Sequence, residues 1–201
     1  MKIVLVAGSH RNEAESERVA KYAAAVLAQH GRVKSHLISL ARNPLPLWDE
    51  EVWQGSERWR QLWEPISSEL KAADGLVIVS PEWSGMVPPG LKNFFLLCGT
   101  AELAHKPGLI VTVSAGIGGA YPVDELRISS YKNTRICYLP EHVIVRNVGQ
   151  MLKGEAPAGE QDAALRSRLT YALSLLVEYA AALKLVRESE VIDHHTFPHG
   201  M

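Results

Sequence analysis

The chain has 201 residues, 47% of them hydrophobic, so we expect a single domain over residues 1–190 followed by a tail at 191–201. Its 21 basic and 22 acidic residues leave a formal charge of -1, which excludes the broad basic surface that nucleic acid or acidic lipid requires. The first apolar run is too short for a signal-peptide core and no later segment approaches a membrane-spanning length, which predicts a cytoplasmic protein without membrane contact.

Apolar runs of strand length alternate with segments of helical spacing along the whole chain. In chain order, the predicted elements are a strand at 2–7, a helix at 16–30, a strand at 32–40, a helix at 57–73, a strand at 75–80, a helix at 91–99, a strand at 108–114, a helix at 123–134, a strand at 136–147 and a final helix around 165–177. The last strand is expected to be interrupted near Pro140, and Trp59 and Trp63 are expected on a core face. This alternation predicts an α/β fold, a parallel sheet covered by helices on both faces.

Three strand-to-helix loops of unusual composition would meet at the carboxyl edge of such a sheet, where ligands of open α/β folds bind. They read GSHRNEAES after the first strand, PEWSGMVPPG after the third and SAGIGGAYP after the fourth. One glycine-rich loop alone has an ordinary structural explanation, because glycine permits conformations that other residues avoid. Three at one edge favour a binding site.

The first loop predicts an anion site. Ser9, Arg11 and Ser16 bracket the start of a helix, where free backbone N–H groups and the helix dipole attract a phosphate. The alternative is an exposed Arg11 paired with Glu13 or Glu15, with Ser16 as an ordinary N-cap. Neither a Walker A motif nor a GxGxxG turn occurs, so a single phosphate, as in a mononucleotide such as FMN, is favoured.

Two motifs resemble the NAD(P)H-dependent FMN reductases, a flavodoxin-like group that includes quinone, azo-dye and chromate reductases. The G-S-x-R loop of that family appears as Gly8-Ser9-His10-Arg11, and its P-E-Y-N-x-S-x-P-x-x-L-K-N motif appears as PEWSGMVPPGLKN at 81–93. The resemblance runs from residue 2 to about 147. It implies a three-layer α/β/α sandwich with strand order 2-1-3-4-5, FMN as cofactor, and NADH or NADPH as co-substrate.

The resemblance assigns the FMN phosphate to Ser9 and Arg11, with Ser16 still able to offer a hydroxyl. Contacts to the flavin ring are implied for residues of the second and third loops: Pro81, Glu82, Trp83, Ser84, Gly85, Ser114, Gly116, Gly118 and Gly119. Glycine amides in the third loop could donate to the ring. The sequence departs from the family pattern at five positions. Ala14 and Ser16 stand where the family usually has serine and asparagine. Trp83, Ser84 and Met86 stand where it usually has tyrosine, asparagine and serine.

Hydride transfer at the flavin needs no catalytic side chain, so the sequence predicts an oxidoreductase that passes electrons from NAD(P)H to free flavin, a quinone or another small acceptor. Two alternatives stay open: an FMN electron carrier without a nicotinamide site, and a non-catalytic ligand-binding module. The near-neutral charge weakens the first, because flavodoxins are usually strongly acidic. Family members commonly form dimers or tetramers, so a second subunit is expected to complete the pocket.

Other polar and aromatic residues have less specific interpretations. Glu82 is expected to shape its turn rather than act as an acid, and Lys92 and Asn93 to stabilise the loop or a subunit contact. Trp48 and Trp53 either cover a neighbour's active site or pack beneath their own helix. Three imidazoles in the tail, His194, His195 and His199, favour a mobile segment over a metal site.

Overall fold

The computed structural model describes residues 1–42 and 44–200, and Asn43 and Met201, the last residue of the predicted tail, lie outside it. Its strands are β1 (Lys2–Ala7), β2 (Lys34–Ser39), β3 (Gly75–Pro81), β4 (Pro107–Val113) and β5 (Cys137–Val145). Its helices are α1 (Glu15–Ala28), α2 (Glu57–Lys71), α3 (Pro89–Leu97), α4 (Thr100–Leu103), α5 (Tyr121–Ser129) and α6 (Glu160–Arg187). Short 3-10 helices cover Glu50–Val52 and Val148–Gln150.

All five strands run parallel in one sheet with the order β2-β1-β3-β4-β5, which confirms the predicted fold. Successive side chains of a strand point to opposite faces, and β1 shows this directly. Ile3 and Leu5 belong to the core beneath α1 and α6, whereas Val4 and Val6 belong to the core beneath α2, α3 and α5. The sheet is therefore the middle of three layers.

The interruption expected near Pro140 affects the pairing of β5 with β4 but does not break the strand itself. β5 continues past Pro140, and its pairing with β4 shifts register between Gly108 and Ile110. Proline is tolerated there because β5 is an edge strand, where a missing N–H leaves no ladder bond unmade. The Arg127 guanidinium donates to the carbonyl oxygens of Leu139 and Pro140, at 2.6 and 3.1 Å, and covers this edge.

Helix α6 corrects another expectation, because by length and composition alone it could cross a membrane. The helix has 28 residues and a window of mean hydropathy 1.5. One of its faces packs in the core against the sheet, through Leu169, Leu173, Leu176 and Val177. This packing accounts for the face of α6 toward the sheet, and 33% of the apolar window is buried in the fold.

The two tryptophans of α2 lie on the predicted core face, and the tail is irregular and contacts Arg135. Trp59 is buried, and half-buried Trp63 packs edge-on against Phe94 with ring centroids 5.9 Å apart. Residues 191–200 form neither helix nor strand, and the Arg135 guanidinium contacts the His194 ring and the Phe197 carbonyl oxygen. Within residues 1–42 and 44–200, no group of His, Cys, Asp or Glu side chains is placed to hold a metal ion.

Candidate functional site

A cavity of about 430 Å³ lies at the carboxyl edge of the sheet, and we call it the edge cavity. It is bounded by the first loop, the start of α1, the end of β3 and the start of the loop after β4. Its lining residues are Ser9, Arg11, Glu13, Ala14, Glu15, Ser16, Pro81, Glu82, Trp83, Val113, Ala115 and Val148. All three unusual loops therefore contribute to one cavity, as their position in the fold requires.

One end of the edge cavity has the features of an anion site. Ser16 is 1% exposed, and its Oγ has no hydrogen-bond partner among the described residues. The Ser9 Oγ accepts from the Arg11 N–H at 3.3 Å, which leaves the serine hydroxyl free to donate. Ala14 occupies the N-cap position of α1 without a side-chain cap, so N–H groups of the first turn stay available. The alternative of Ser16 as N-cap is therefore wrong.

Arg11 supplies a cation at this end of the edge cavity. Its side chain is exposed, and the part of the chain that the structure describes offers it no ion pair. Glu15, one of the two carboxylates considered as its partner, instead binds Arg18 at 2.6 Å. Buried hydroxyls, uncapped helical N–H groups and an unengaged guanidinium together fit a phosphate, because each group can donate to an anion.

Arg18 also fixes a wall of the cavity that the sequence did not predict. Its two terminal nitrogens donate to the carbonyl oxygens of Leu152 and Val148, both at 2.8 Å. This clamp holds the segment after β5 against α1 and brings Val148 into the lining. The contact joins residues 130 positions apart, so no local pattern could have revealed it.

The loop after β3 is a tight turn that presents Trp83 to the edge cavity. Trp83 and Met86 form an isolated antiparallel bridge with N–H···O distances of 3.0 and 2.9 Å. Between them, Ser84 and Gly85 have φ values of 49° and 75°, as a two-residue turn with left-handed backbone requires. The Trp83 ring is half-buried at the cavity wall and does not lie beneath the sheet, whereas Ser84 and Gly85 are not among the lining residues.

Residues outside the cavity hold this turn in place. The Glu125 carboxylate of α5 accepts from the Val87 N–H at 2.6 Å and pairs with Lys92. The Asn93 side chain accepts from the Trp48 N–H and donates to the Pro46 carbonyl, both at 2.7 Å. Lys92 and Asn93 thus stabilise loops, as the sequence suggested.

Glu82 joins the second and third loops. Its carboxylate accepts from the Gly119 N–H, and a Cβ added at Gly118 would lie 2.9 Å from the Glu82 Oε1. The Thr112 hydroxyl donates to the Gly119 carbonyl at 2.6 Å. Glu82 therefore shapes the turn, and the Gly119 amide, expected to donate to a ligand, is already engaged within the protein.

The remaining predicted residues of the third loop border the edge cavity without lining it. The Gly116 N–H donates to the Ser114 Oγ at 3.3 Å, and the Arg146 Nε donates to the carbonyl oxygens of Ile117 and Gly118. Ala115, which the sequence did not single out, is the residue of this loop that reaches the lining. Its small side chain leaves the cavity open.

The fold is flavodoxin-like, and its first loop has the features of an anion site. A family model described as NADPH-dependent FMN reductase matches residues 1–150. The chain therefore belongs to this family, which confirms the predicted class: an FMN-dependent oxidoreductase that uses NADH or NADPH.

Curated relatives have related names. A protein named NADPH azoreductase, from a Bacillus species, is 30% identical over 130 residues, which cover 64% of this chain and 68% of the relative. A protein named quinone reductase, from Escherichia coli, is 42% identical over 80 residues, which cover 38% of this chain and 42% of the relative. The aligned region thus spans less than half of the second relative's length.

Solved structures show the same fold at low sequence identity. The flavoenzyme NAD(P)H:(acceptor) oxidoreductase FerB from Paracoccus denitrificans matches with a TM-score of 0.70 at 17% identity, covering 90% of this chain and 97% of that one. An apo NADH:FMN oxidoreductase matches with a TM-score of 0.65 at 17% identity, covering 87% of each chain.

Proposed function

We propose that this protein binds one FMN in the edge cavity and uses it to pass electrons from NADPH or NADH to a small acceptor such as a quinone or an azo compound. The observation that carries the proposal is the buried, unpartnered Ser16 hydroxyl beside an uncapped helix start and an unengaged Arg11. Bound FMN would supply the hydride chemistry, which the protein has only to orient and shield from water.

Each part of the edge cavity has a distinct task in this proposal. Ser9, Arg11 and Ser16 hold the phosphate. Trp83 and Pro81 form one side of the space for the flavin ring, and the Glu82 bridge to Gly119 keeps the second and third loops at a fixed spacing. Ser84, Gly85, Ser114, Gly116 and Gly118 border this space, and we assign them to its rim, where the nicotinamide and the acceptor enter.

The acceptor class rests on what the relatives are named for, which is azo compounds and quinones. Exposed apolar side chains near the rim would suit a flat aromatic acceptor: Met86 follows the Trp83 turn, and Tyr121 lies 3.8 Å from the position of a Cβ at Gly85. Free flavin is the third candidate acceptor, since it is also flat and aromatic.

One anaerobic experiment tests the proposal. The purified protein is loaded with FMN, its visible spectrum is recorded, and NADPH or NADH is added, followed by a quinone. We expect the flavin absorbance to bleach with nicotinamide and to return with the quinone. Bound flavin that no nicotinamide bleaches would identify an electron carrier, and failure to bind FMN would leave only the ligand-binding module.

We further propose that the protein is a homodimer or homotetramer that associates through the face between α3 and α5. A groove of about 880 Å³ lies there, which we call the helix groove, and its apolar lining includes Trp48, Phe95 and Leu126. Trp53 is 79% exposed and packs edge-on against Trp48 with centroids 4.7 Å apart. The same face thus carries both a protruding indole and an apolar groove, as a two-fold interface requires.

Charge supports the same association. Lys132 lines the helix groove, and Glu50 lies three residues before Trp53 in the sequence. Neither makes an ion pair within the described residues, so a second copy could pair them. Sedimentation velocity tests this: we expect the wild type to sediment as an oligomer and Leu96→Asp, in the groove, to sediment as a monomer. Leu185→Ser, an exposed position on α6, is the control that should not change the mass. A monomeric wild type contradicts the proposal.

We place the protein in the cytoplasm. Cys98 and Cys137 are free thiols, as is usual in a reducing compartment, and the apolar face of α6 is used within the fold. Cell fractionation with a membrane marker tests this, and we expect the protein in the soluble fraction.

A further inference from the structure

His10 has a position that the phosphate site does not explain. It lies in the first loop between Ser9 and Arg11, yet it does not line the edge cavity. Its ring packs edge-on against the Trp83 ring, with centroids 4.6 Å apart and an interplanar angle of 64°. His10 therefore touches the aromatic wall of the cavity from behind.

Gly90, near the start of α3, provides the space for this imidazole. A Cβ added at Gly90 would lie 2.9 Å from the His10 Nδ1 and 3.4 Å from its Cβ and Cγ. The Nδ1 is buried and has no hydrogen-bond partner among the described residues. Since the ring gains no hydrogen bond at this nitrogen, its contacts with Trp83 and Gly90 are what define its position.

Trp83 depends on such support because its turn fixes the backbone but not the ring. The Trp83–Met86 bridge anchors both residues through main-chain hydrogen bonds. The indole itself is half-buried, and His10 is the aromatic ring against which it packs in the described structure. An edge-to-face pair of this kind stabilises both rings beyond the area that it buries.

We propose that His10 is a positioning residue, whose imidazole, wedged between Trp83 and the Gly90 backbone, holds the indole at the wall of the edge cavity. The inference rests on the proposed FMN site. Because His10 acts through Trp83, it supports the ring end of the ligand and not the phosphate end. Loss of the His10 ring should therefore lower the affinity for all flavins by the same factor, whether or not they carry a phosphate.

Binding of FMN and of riboflavin, which lacks the phosphate, separates this role from general damage to the first loop. We expect His10→Ala to lower the affinity for both ligands by the same factor, about two- to tenfold. The ratio of the two affinities should therefore stay that of the wild type. His10→Phe, which keeps a ring, should restore most of both affinities. A collapse of the first loop would instead weaken the binding of FMN alone, because Ser9 and Arg11 flank His10. That result overturns the proposal. Unchanged binding of both ligands also overturns it.

Gly90→Ala provides an independent variant. The added Cβ should displace the His10 ring and lower the affinity for both flavins, as His10→Ala does. In the His10→Ala background, Gly90→Ala should have no further effect on either affinity. Additive effects of the two substitutions contradict the wedge.

An apo measurement keeps this inference distinct from the proposed function. In protein labelled with ¹⁵N-tryptophan, the Trp83 indole signal, assigned with Trp83→Phe, should shift in His10→Ala without any ligand. If the wild type binds neither flavin, the proposed function fails, and this signal alone decides whether His10 positions Trp83. An unchanged signal overturns the positioning role.

Discussion

The two edges of the sheet differ in the hydrogen bonding of their buried polar groups. At the amino edge, Lys106 is 4% exposed and its Nζ donates to the carbonyl oxygens of Leu70 and Lys71, at 2.6 and 3.0 Å. Nearby, the Glu102 carboxylate accepts from the Ser67 hydroxyl at 2.6 Å and from the Gly99 N–H at 2.9 Å. Unmade hydrogen bonds of buried groups are costly, so this edge is built for stability.

At the carboxyl edge, the Ser16 Oγ is buried in the lining of the edge cavity without a partner in the described structure. Groups that a protein leaves unpartnered in a cavity cost stability unless a ligand satisfies them. The difference between the two edges indicates that ligand binding is favourable at the carboxyl edge, where a ligand can supply the missing hydrogen bonds. Substitutions at the amino edge should therefore change stability, and substitutions at the carboxyl edge should change ligand affinity.

The largest expected effect on binding is that of Arg11→Ala. Hydrogen bonds to charged groups contribute about 1.5–3 kcal/mol, so FMN should bind about ten- to a hundredfold more weakly by isothermal titration. Riboflavin affinity and thermal stability should not change, because Arg11 is exposed and has no ion pair among the described residues. Arg60→Ala, an exposed arginine of α2, is the control. Unchanged FMN affinity would remove Arg11 from the phosphate site.

Lys106→Met makes the converse test at the amino edge. It leaves the carbonyl oxygens of Leu70 and Lys71 without their donor, and we expect a loss of about 1–3 kcal/mol in the free energy of unfolding by urea denaturation. FMN affinity should stay that of the wild type. The exposed neighbour Lys71→Met should have little effect. A loss of FMN binding without a loss of stability contradicts the division between the edges.

The effect of Lys106 should also depend on pH. Burial, together with the nearby Arg187 charge, lowers the pKa of Lys106 from 10.5 to about 8. Between these values the unfolded chain binds more protons than the folded protein, so the contribution of Lys106 to stability rises with pH. Denaturation at pH 8 and pH 10 should show the wild type gaining stability relative to Lys106→Met, and a constant difference counts against this assignment.

Ser16→Ala and Ser67→Ala form the smallest and best matched pair, since each serine is 1% exposed. Ser16→Ala should lower the affinity for FMN about two- to tenfold. It should cause no loss of stability, because the Ser16 hydroxyl has no partner in the described protein. Ser67→Ala should destabilise the fold by about 1 kcal/mol, since it leaves the Glu102 Oε1 without its donor, and it should leave FMN binding unchanged. Calorimetry of both variants measures both quantities, and identical behaviour of the two serines removes the distinction.

The sequence predicted the sheet because its strands have strong local signals. β3 and β4 are buried on both faces and read as continuous apolar runs. The first loop and the Trp83 turn were located by residues adjacent to those strands. By contrast, the Arg18 clamp on Val148 and the Glu82 bridge to Gly119 depend on tertiary contacts between distant segments. Pro140 correctly marked the irregular pairing of β5, but the continuity of the strand depends on β5 being an edge strand, where proline is tolerated.

The comparison of FMN with riboflavin in the wild-type protein tests the central claim most directly. The two ligands share the ring and the ribityl chain and differ only in the phosphate. If the start of α1, with Ser9, Arg11 and Ser16, is a phosphate site, FMN should bind at least about a hundredfold more tightly than riboflavin, since several charge-assisted hydrogen bonds are lost together. Equal affinities for FMN and riboflavin would contradict the account.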